Sequence, residues 1–207
     1  MDLAGWERVA YRNEHSMSEK LNGILEAARL HAEEVILPHV DDWNITKTWP
    51  RAASDKAGAA GLMGLYAPEA FGGQGLPLSE GIQVYEQLGL GDGAYAFALS
   101  MHNICTFAAC GYGTEAFKDV WGMELTSGRK LANFALTEPQ PGSDPMKMYT
   151  RATINEDGTW TISGAKAWVS LATEADVYFT FVKTSDVPGH KDMAMITIPA
   201  DASGVSF

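Results

Sequence analysis

Residues 134–144 join a short apolar run to a loop rich in groups that could hold a ligand. The segment reads FALTEPQPGSD, with Thr137 at the end of the run and Gly142 and Ser143 in the loop. Backbone N–H and C=O groups beyond the last paired residue of a strand can bind a planar heterocycle with alternating donors and acceptors. The two prolines stiffen the loop, and Gly142 with Ser143 could offer donors to a phosphate. The alternative is a rigid strand-end loop with no ligand.

A second segment, GAKAWVSLATEADVYF at 164–179, could supply an aromatic face and a hydroxyl. If KAWVS is a strand, Trp168 and Ser170 share one face because they lie two residues apart. An indole can cover the edge of a flavin, and a hydroxyl can hydrogen-bond one of its nitrogens. A tryptophan packed in the core of a sheet would explain the same residues without a ligand. The two segments together favour a flavin site more than either one alone.

The other residues with reactive side chains are isolated in the sequence. His102 lies in an apolar helical stretch, where a hydrogen-bonded core histidine is the commoner outcome, although it could also line a pocket. Cys105 and Cys110 are five residues apart and are interpreted as small buried apolar residues. FGGQG at 71–75 lacks the Gly-Lys-Ser/Thr ending of a phosphate loop, so it predicts a connection between helices. No cluster of this kind predicts a metal site.

Composition excludes several classes of partner. The chain has 207 residues, of which 26 are acidic and 15 basic, giving a formal net charge of −11. Such a chain has no electrostatic footprint for nucleic acid or for an anionic membrane. No apolar run approaches the roughly 20 residues that span a bilayer, and no secretory signal is recognisable. Two cysteines cannot form a disulfide framework, so a reducing compartment is expected, with the cytoplasm as its default.

The spacing of apolar residues changes near residue 130. Before it, repeats of three and four residues predict helices, including one at about 51–60 and a long buried one from Ala94 to Ala109. After it, four short apolar runs predict strands: KLANFAL, KAWVS, DVYFTFVKT and MAMITIP. Alternating residues on both sides of Asp157-Gly158 add a hairpin.

The order of these elements predicts an α+β fold. An all-helical N-terminal domain would occupy residues 1–130. A partial middle domain, built as an antiparallel, β-barrel-like sheet, would follow at 131–207. Among the predicted strands, DVYFTFVKT is apolar almost throughout and is expected to be central in the sheet.

The pairing of FALTEPQPGSD with GAKAWVS and ADVYF, across a D-G hairpin, resembles the acyl-CoA dehydrogenases. The upstream segments LYAPEAFGGQGLP and YEQLGLGDGAYAFALSMHNICTFAACGYGTEAFKDVW look like the helical domain of that family. The match runs from roughly Leu21 to the last residue. The resemblance implies a helical N-terminal domain, a middle β domain and a C-terminal helical bundle. The bundle is expected to be missing from this chain, and the middle domain to be truncated.

The family resemblance also implies a reaction. It implies FAD as cofactor and oxidation of an acyl-CoA thioester to its trans-2-enoyl form, as in the β-oxidation of fatty acids. A base would take the α-proton, the β-hydride would pass to the flavin, and electrons would leave to an electron-transferring flavoprotein. A homo-oligomer, dimer or tetramer, or a partner chain supplying the C-terminal domain, is expected. The 207-residue chain alone is expected to be inactive.

Residue roles follow from the same resemblance. The implied cofactor contacts are Phe134, Ala135, Leu136, Thr137, Gly142, Ser143, Trp168, Val169 and Ser170. The implied substrate contacts are Ser143, Tyr95, Ala98 and His102. No glutamate here matches the position of the general base, which is expected in the missing C-terminal domain, and Glu138 is interpreted as structural. The sequence departs from the family where Ser170-Leu171-Ala172 stands for Thr-Asn-Gly and where Pro141 replaces a small residue.

Several hypotheses about function remain open at this point, because a fold does not fix a function. The chain could be a truncated dehydrogenase, or a natural partial subunit whose partner supplies the base. It could instead be a non-catalytic module that binds acyl-CoA, FAD or another protein. A flavin monooxygenase or a nitroalkane-oxidising relative on the same scaffold is a further alternative. A correctly placed glutamate in a C-terminal region would favour the dehydrogenase.

Overall fold

The computed structural model describes residues 19–140, 142, 144–185 and 192–207. Within them, helices precede strands along the chain. The helices are α1 (19–31), which continues into a π-helical turn at Ala32–Ile36, α2 (Val40–Thr46), α3 (Arg51–Ala59), α4 (Leu78–Gly89), α5 (Gly93–Tyr112) and α6 (Glu115–Thr126). The strands are β1 (Ala132–Ala135), β2 (Arg151–Ile154), β3 (Trp160–Ser163), β4 (Val177–Lys183) and β5 (Met193–Pro199).

The central helix α5 is fixed at its start by a side-chain cap. The carboxylate of Asp92 accepts a hydrogen bond from the backbone N–H of Tyr95 at 2.7 Å, which satisfies a donor that the first turn leaves free. The helix then packs against α4, α6 and β1. The predicted helix is confirmed, but it is not buried on all sides, because Phe97 is 55% exposed on the face turned away from those neighbours.

The sheet is organised around β4. On one edge, β4 pairs antiparallel with β5 along its whole length, from Val177 opposite Pro199 to Lys183 opposite Met193. Its other edge is shared, because β1 pairs parallel with the first four residues and β2 meets the last residue. The strand β3 pairs antiparallel with β2 in the predicted D-G hairpin.

The α+β fold class and the central position of β4 are confirmed, and two details of the predicted sheet are corrected. The pairing is mixed, since β1 and β4 run parallel, and the strands do not close into a barrel within the described ranges. β2 also meets β4 in the parallel sense. The strands that pair in parallel are not consecutive in the chain, whereas the consecutive pairs β2–β3 and β4–β5 are antiparallel.

The sheet packs directly on the helices. A cluster of buried apolar residues joins α5 and α6 to the start of β1 and β4, with Cys105, Leu125, Ala132 and Phe179 among its members. The last helix ends at Thr126 and the first strand begins after it, while the predicted domain boundary between 130 and 131 stays a prediction. In the part of the chain that the structure describes, none of the helices is long and apolar enough to cross a bilayer.

Candidate functional site

The end of β1 and the residues after it form an exposed corner of the sheet, which we call the β1 corner (residues 134–137). Ala135 is the last residue paired with β4, and the side chains of Leu136 and Thr137 beyond it are exposed. Phe134 is half-buried, and its ring centroid lies 5.2 Å from that of Phe181. The β1 corner therefore presents an apolar side chain and a hydroxyl at one place, while the carbonyl oxygens of Leu136 and Thr137 already accept hydrogen bonds from Nζ of Lys166 and from the N–H of Ala167.

A buried carboxylate fixes the loop directly after this corner. Glu138 accepts hydrogen bonds from the backbone N–H groups of Tyr149, at 2.6 Å, and Thr150, at 2.9 Å, and from the hydroxyl of Thr150. The ammonium nitrogen of Lys166 lies 2.9 Å from Oε1 of Glu138, and the two side chains are only 9% and 2% exposed. We call Glu138, Tyr149, Thr150 and Lys166 the Glu138 clamp.

The clamp also determines the protonation state of Glu138. Burial by itself would raise the pKa of this carboxyl, but the hydrogen bonds from Thr150, Tyr149 and Lys166 lower the pKa to about 2. Glu138 is therefore ionised at neutral pH, with both oxygens already accepting hydrogen bonds. These contacts match the structural role predicted for Glu138.

The segment that follows Lys166 is not the predicted strand. The backbone N–H of Ala167 donates to the carbonyl oxygen of Thr137 at 2.8 Å, and the chain then turns. Trp168 has a φ of 57°, a left-handed conformation that interrupts a strand ladder. The prediction that KAWVS is a strand with Trp168 and Ser170 on one face is therefore wrong. We call residues 168–174 the 168–174 turn.

The turn nevertheless begins with an exposed aromatic residue. Trp168 follows the residue that is hydrogen-bonded to Thr137, and its side chain is 92% exposed, the highest value among the large apolar residues described. Because burial of an indole's apolar face by a ligand is favourable, such an exposed ring is suited to a planar heterocycle.

The next two residues of the turn face the protein. Val169 packs against the helical core, and Ser170 is half-buried. The carbonyl oxygen of Ser170 accepts a hydrogen bond from Nδ2 of Asn133, whose side chain is buried within β1. Of the three residues implied as flavin contacts in this segment, Trp168 is therefore open to a ligand, whereas Val169 is held in the core.

Of the two residues predicted to bind a phosphate, Gly142 lies within the described part of the chain. Gly142 has a φ of 57°, a region that favours glycine, and no atom lies within 4 Å of the position that a Cβ would take there. A ligand could therefore approach the backbone closely at Gly142. Its predicted partner, Ser143, lies outside the described residues.

A cleft of about 500 Å³ lies beside the 168–174 turn. Its walls come from α2 and its connection to α3, from the start of α5 and from the turn itself. Tyr95 and Ala98 of α5 both line the cleft, and so does Ser170. The structure thus brings two of the residues implied for the substrate next to one of those implied for the cofactor.

One wall of the cleft is aromatic. The ring of Tyr95 stacks on Trp49 and Trp43, with centroid distances of 5.3 Å and 6.0 Å. The Tyr95 hydroxyl lies 2.9 Å from Nε2 of His31. Burial lowers the pKa of His31 to about 4, and the nearby charge of Lys56 adds to this shift, so the imidazole is neutral at pH 7. Tyr95 itself is only 2% exposed, so the uncharged surface that this wall offers to a ligand belongs mostly to the half-buried Trp43 and Trp49.

His102 is not part of the cleft. It is completely buried, its Nε2 lies 3.0 Å from the carbonyl oxygen of Leu125, and its Nδ1 accepts the backbone N–H of Ala132 at 3.0 Å. Burial lowers the pKa of His102 to about 4, so the ring is neutral. These contacts match the alternative stated for His102, a hydrogen-bonded core residue that ties α6 to β1.

Acidic residues at the cleft are few and have other roles. Asp92 caps α5 through the N–H of Tyr95, and Glu174 lies exposed on the turn. Neither the capping contact of Asp92 nor the exposed position of Glu174 indicates a general base. Within the described residues, no group of three or more histidine, cysteine, aspartate or glutamate side chains could hold a metal ion.

Sequence reasoning missed three residues that hold the site together: Asn133, Lys166 and Tyr178. Asn133 is an amide inside the apolar run LANFAL, and a buried amide requires hydrogen-bond partners, so its position was a usable signal. Lys166 lies between apolar and small residues, and a buried lysine requires a counter-charge. Tyr178 gives no such signal, because tyrosine is common in strands whether or not its hydroxyl has a function.

Both halves of the chain match domains of a known protein family. Residues 18–129 match the family description "Acyl-CoA dehydrogenase, N-terminal domain", and residues 133–207 match "Acyl-CoA dehydrogenase, middle domain". The chain belongs to the acyl-CoA dehydrogenase family. The resemblance inferred from the FALTEPQPGSD and GAKAWVS segments is thereby confirmed.

Individual members of the acyl-CoA dehydrogenase family are similar over most of the chain. The mitochondrial isobutyryl-CoA dehydrogenase of Dictyostelium discoideum is 31% identical over 176 residues, which is 85% of this chain and 42% of that protein. The structure of butyryl-CoA dehydrogenase from Megasphaera elsdenii has a TM-score of 0.82 and 28% identity, covering 89% of this chain and 49% of that one.

Two structures of PigA, one with FAD and one with FAD and proline, also have TM-scores of 0.82, at 27% identity and the same coverage. The chain spans about half the length of the curated relatives it matches.

Proposed function

We propose that the protein is a FAD-dependent dehydrogenase that oxidises an acyl-CoA thioester to the trans-2-enoyl-CoA. The observation that carries this proposal is the exposed indole of Trp168, which lies beside the β1 corner and next to a cleft with an aromatic wall. An exposed indole and a cleft of about 500 Å³ that meet at one turn suit an enzyme that binds a planar cofactor next to its substrate.

The residues at the β1 corner fit a flavin. Leu136 and Thr137 offer an exposed apolar side chain and a hydroxyl to the ring system, and Trp168 offers an aromatic face. FAD would supply the hydride acceptor for oxidation of the thioester. Gly142 leaves its backbone open to the phosphates, and Ser143 is proposed as its partner there.

The cleft fits the acyl part of the substrate. Its aromatic wall of Trp43, Trp49 and Tyr95 carries no charge at neutral pH, which suits an alkyl chain, while Lys47, Asp92 and Glu174 line other parts of the cleft. Ala98 is small, so it leaves space at the same wall. We propose that Tyr95 and Ala98 contact the acyl chain, and that the carbons to be oxidised lie near Ser170, where cleft and turn meet.

The rest of the catalytic machinery is proposed to come from outside these 207 residues, because the chain spans about half of its relatives' length. A glutamate from that remaining part would remove the α-proton. We further propose a homo-oligomeric protein that passes its electrons to an electron-transferring flavoprotein. The cytoplasm, expected from the low cysteine content, remains the proposed compartment.

The similarity to PigA supports a second candidate, an FAD enzyme that oxidises a substrate other than an acyl-CoA. PigA has been solved with FAD and proline on the same framework and at a TM-score equal to that of the butyryl-CoA dehydrogenase. In this candidate the flavin end of the site would be retained, and the cleft would take a different substrate.

The test is an anaerobic titration of the full-length protein, purified from its own cells without denaturant. Native mass spectrometry first establishes whether FAD is bound. Saturated acyl-CoA thioesters of increasing chain length are then added while the visible absorbance of the flavin is followed. We expect bleaching of the flavin and a product two hydrogens lighter than the substrate. Absence of FAD would refute the proposal, and bound FAD that is reduced by proline but by no acyl-CoA would establish the second candidate.

A further inference from the structure

The backbone of the 168–174 turn has a conformation that is unfavourable unless neighbouring groups hold it. Three of its residues have positive φ angles although none is glycine: Trp168 at 57°, Leu171 at 54° and Thr173 at 76°. Such conformations are unfavourable for residues with a Cβ, and most of all for the β-branched Thr173. They persist where neighbouring groups hold the chain in place, and they are concentrated at functional sites.

Two side chains of the sheet reach this turn. Asn133 of β1 and Tyr178 of β4 are directly opposite each other in the parallel ladder. Nδ2 of Asn133 donates to the carbonyl oxygen of Ser170, and the Tyr178 hydroxyl lies 3.4 Å from the next carbonyl oxygen, that of Leu171. A cross-strand pair therefore holds two consecutive carbonyls of the turn.

Asn133 is satisfied on both sides of its amide. Its side chain is 1% exposed, and its Oδ1 accepts the backbone N–H of Phe134 while its Nδ2 holds Ser170. A buried amide in an apolar strand costs free energy unless both of its polar groups are bonded. The carbonyl of Ser170 is thus the partner that makes asparagine acceptable at this position.

The turn faces two sites at once. At its start, Trp168 lies exposed beside the β1 corner. At its end, residues from Leu171 to Glu174 line the cleft together with Tyr95. Any shift of the middle of the turn would therefore move the proposed flavin surface and the proposed acyl wall together.

We propose that Asn133 and Tyr178 are positioning residues, which hold the 168–174 turn in the one conformation that serves both the flavin and the acyl cleft. This inference rests on the proposed function. Neither side chain touches the flavin or the substrate; both act through the carbonyls of Ser170 and Leu171.

The two ends of the turn have independent anchors, so the effect of the pair is local. Before the turn, Ala167 is bonded to Thr137. After it, the carboxylate of Asp176 binds Arg51 of α3 at 3.1 Å, Lys130 at 2.9 Å and the backbone N–H of Leu131 at 2.8 Å. Loss of the Asn133 contact would therefore release residues 168–174, while Ala167 before the turn and Asp176 after it remain in place.

The decisive variant is Asn133→Asp in the full-length protein. Aspartate keeps the size of the side chain and an acceptor for Phe134, but it replaces the donor to Ser170 with an oxygen that repels the carbonyl. Tyr178→Phe removes only a long hydrogen bond and is the milder test. Asn155→Asp is the matched control, because Asn155 is exposed on the β2–β3 hairpin and, among the residues described, its side chain bonds only the nearby Thr159 and Thr161.

Three readouts separate positioning from general stability. Hydrogen–deuterium exchange of the FAD-free protein is measured on peptides covering residues 167–175 and, for comparison, on β4 and α5. The dissociation constant of FAD is measured by fluorescence quenching. Steady-state kinetics with an acyl-CoA that the parent oxidises give kcat and KM separately.

In Asn133→Asp we expect faster exchange confined to the turn, together with about tenfold weaker FAD binding and about tenfold higher KM, as for loss of one buried hydrogen bond. Tyr178→Phe should show the same pattern with effects of a few-fold, and Asn155→Asp should behave as the parent. Faster exchange in β4 and α5 as well, or unchanged FAD binding and KM with an exchanging turn, would overturn the inference. The exchange result does not depend on FAD, so a parent protein that binds no FAD would refute the proposed function separately.

Discussion

The Glu138 clamp and the 168–174 turn lie side by side, yet they are held by different means. The clamp consists of a buried ion pair and three further hydrogen bonds on one carboxylate. The turn has strained backbone angles, an exposed tryptophan and neutral hydrogen bonds from two side chains of the sheet. The Glu138 clamp is therefore held by its own contacts without a ligand, whereas the 168–174 turn leaves an exposed surface that a ligand could cover.

This difference indicates a division of labour within the site. The clamp fixes where the loop after β1 leaves the sheet and how Lys166 brings the second segment back to it. The turn then presents the groups that meet the ligands. The strained backbone of the turn is tolerated because the clamp and the sheet hold the residues on both sides of it.

The largest effect is expected from removal of the clamp's charge. In Glu138→Ala, Lys166 loses its buried partner and two backbone N–H groups lose their acceptor. We expect the free energy of unfolding to fall by about 3–5 kcal/mol, as for other broken buried pairs. Urea denaturation of the FAD-free protein measures this loss. The control is Glu124→Ala, which breaks the solvent-screened pair with Arg129 and should lower the free energy of unfolding far less. Equal losses in both variants would show that the clamp is not the rigid side.

The clamp should also make stability depend on pH in the acid range. The pKa of Glu138 falls from its ordinary value of 4.5 in the unfolded chain to about 2 in the folded chain. A lowered folded-state pKa stabilises the fold above pH 4.5, and this contribution disappears as the pH falls through about 2. Its size is about 3 kcal/mol, at roughly 1.4 kcal/mol per pKa unit.

The measurement is the free energy of unfolding of the parent and of Glu138→Ala between pH 6 and pH 2. The difference between the two proteins should shrink as the pH falls through this range. A difference that stays constant would mean that Glu138 contributes by packing and not by its charge.

Close packing next to the clamp gives a smaller expected effect. A Cβ on Gly164 would lie 2.4 Å from the Thr150 hydroxyl oxygen and 2.6 Å from Thr150 Cα. Gly164→Ala should therefore destabilise the fold by about 2 kcal/mol through this clash. Gly158→Ala is the control, because Gly158 also has a positive φ but has no atom within 4 Å of its Cβ position. Thermal unfolding of both variants isolates the steric part, and similar losses would exclude the clash as the cause.

The smallest effect has the opposite sign, and it belongs to the turn. Thr173 is β-branched and has a φ of 76°, so Thr173→Gly should relieve strain and raise the free energy of unfolding by about 1 kcal/mol. The neighbouring Ala172 has no positive φ, so Ala172→Gly should lower it slightly. Urea denaturation of the two variants compares them directly. If Thr173→Gly were destabilising, the contrast between a strained turn and a relaxed clamp would be lost.

The features that could be predicted from sequence are those that depend on neighbours in the chain. The hairpin at Asp157-Gly158 requires only a turn and two short alternating runs, and it was predicted and found. The continuous apolar character of β4 likewise predicted its central position. The occurrence of FALTEPQPGSD and GAKAWVS in one sequence was sufficient to identify the family.

The features that were missed depend on partners far along the chain. KAWVS has the composition of a strand, yet Lys166 pairs with Glu138, 28 residues earlier, and Ser170 is held by Asn133, 37 residues earlier. These contacts draw the segment into a turn in spite of its local preference. The parallel pairing of β1 with β4 is non-local for the same reason, and no period in the sequence encodes it.

The shared edge of β4 has a consequence for how this family can diversify. Ala135 ends its pairing opposite Thr180, and Arg151 resumes on the same edge opposite Lys183. The chain between them thus leaves and rejoins one strand at points roughly 10 Å apart, at about 3.3 Å per residue. Insertions or deletions in that interval would leave the register of every strand unchanged. The loop between β1 and β2 could therefore change during evolution, and with it the ligand that is recognised, while the strand pairing of the sheet stays the same.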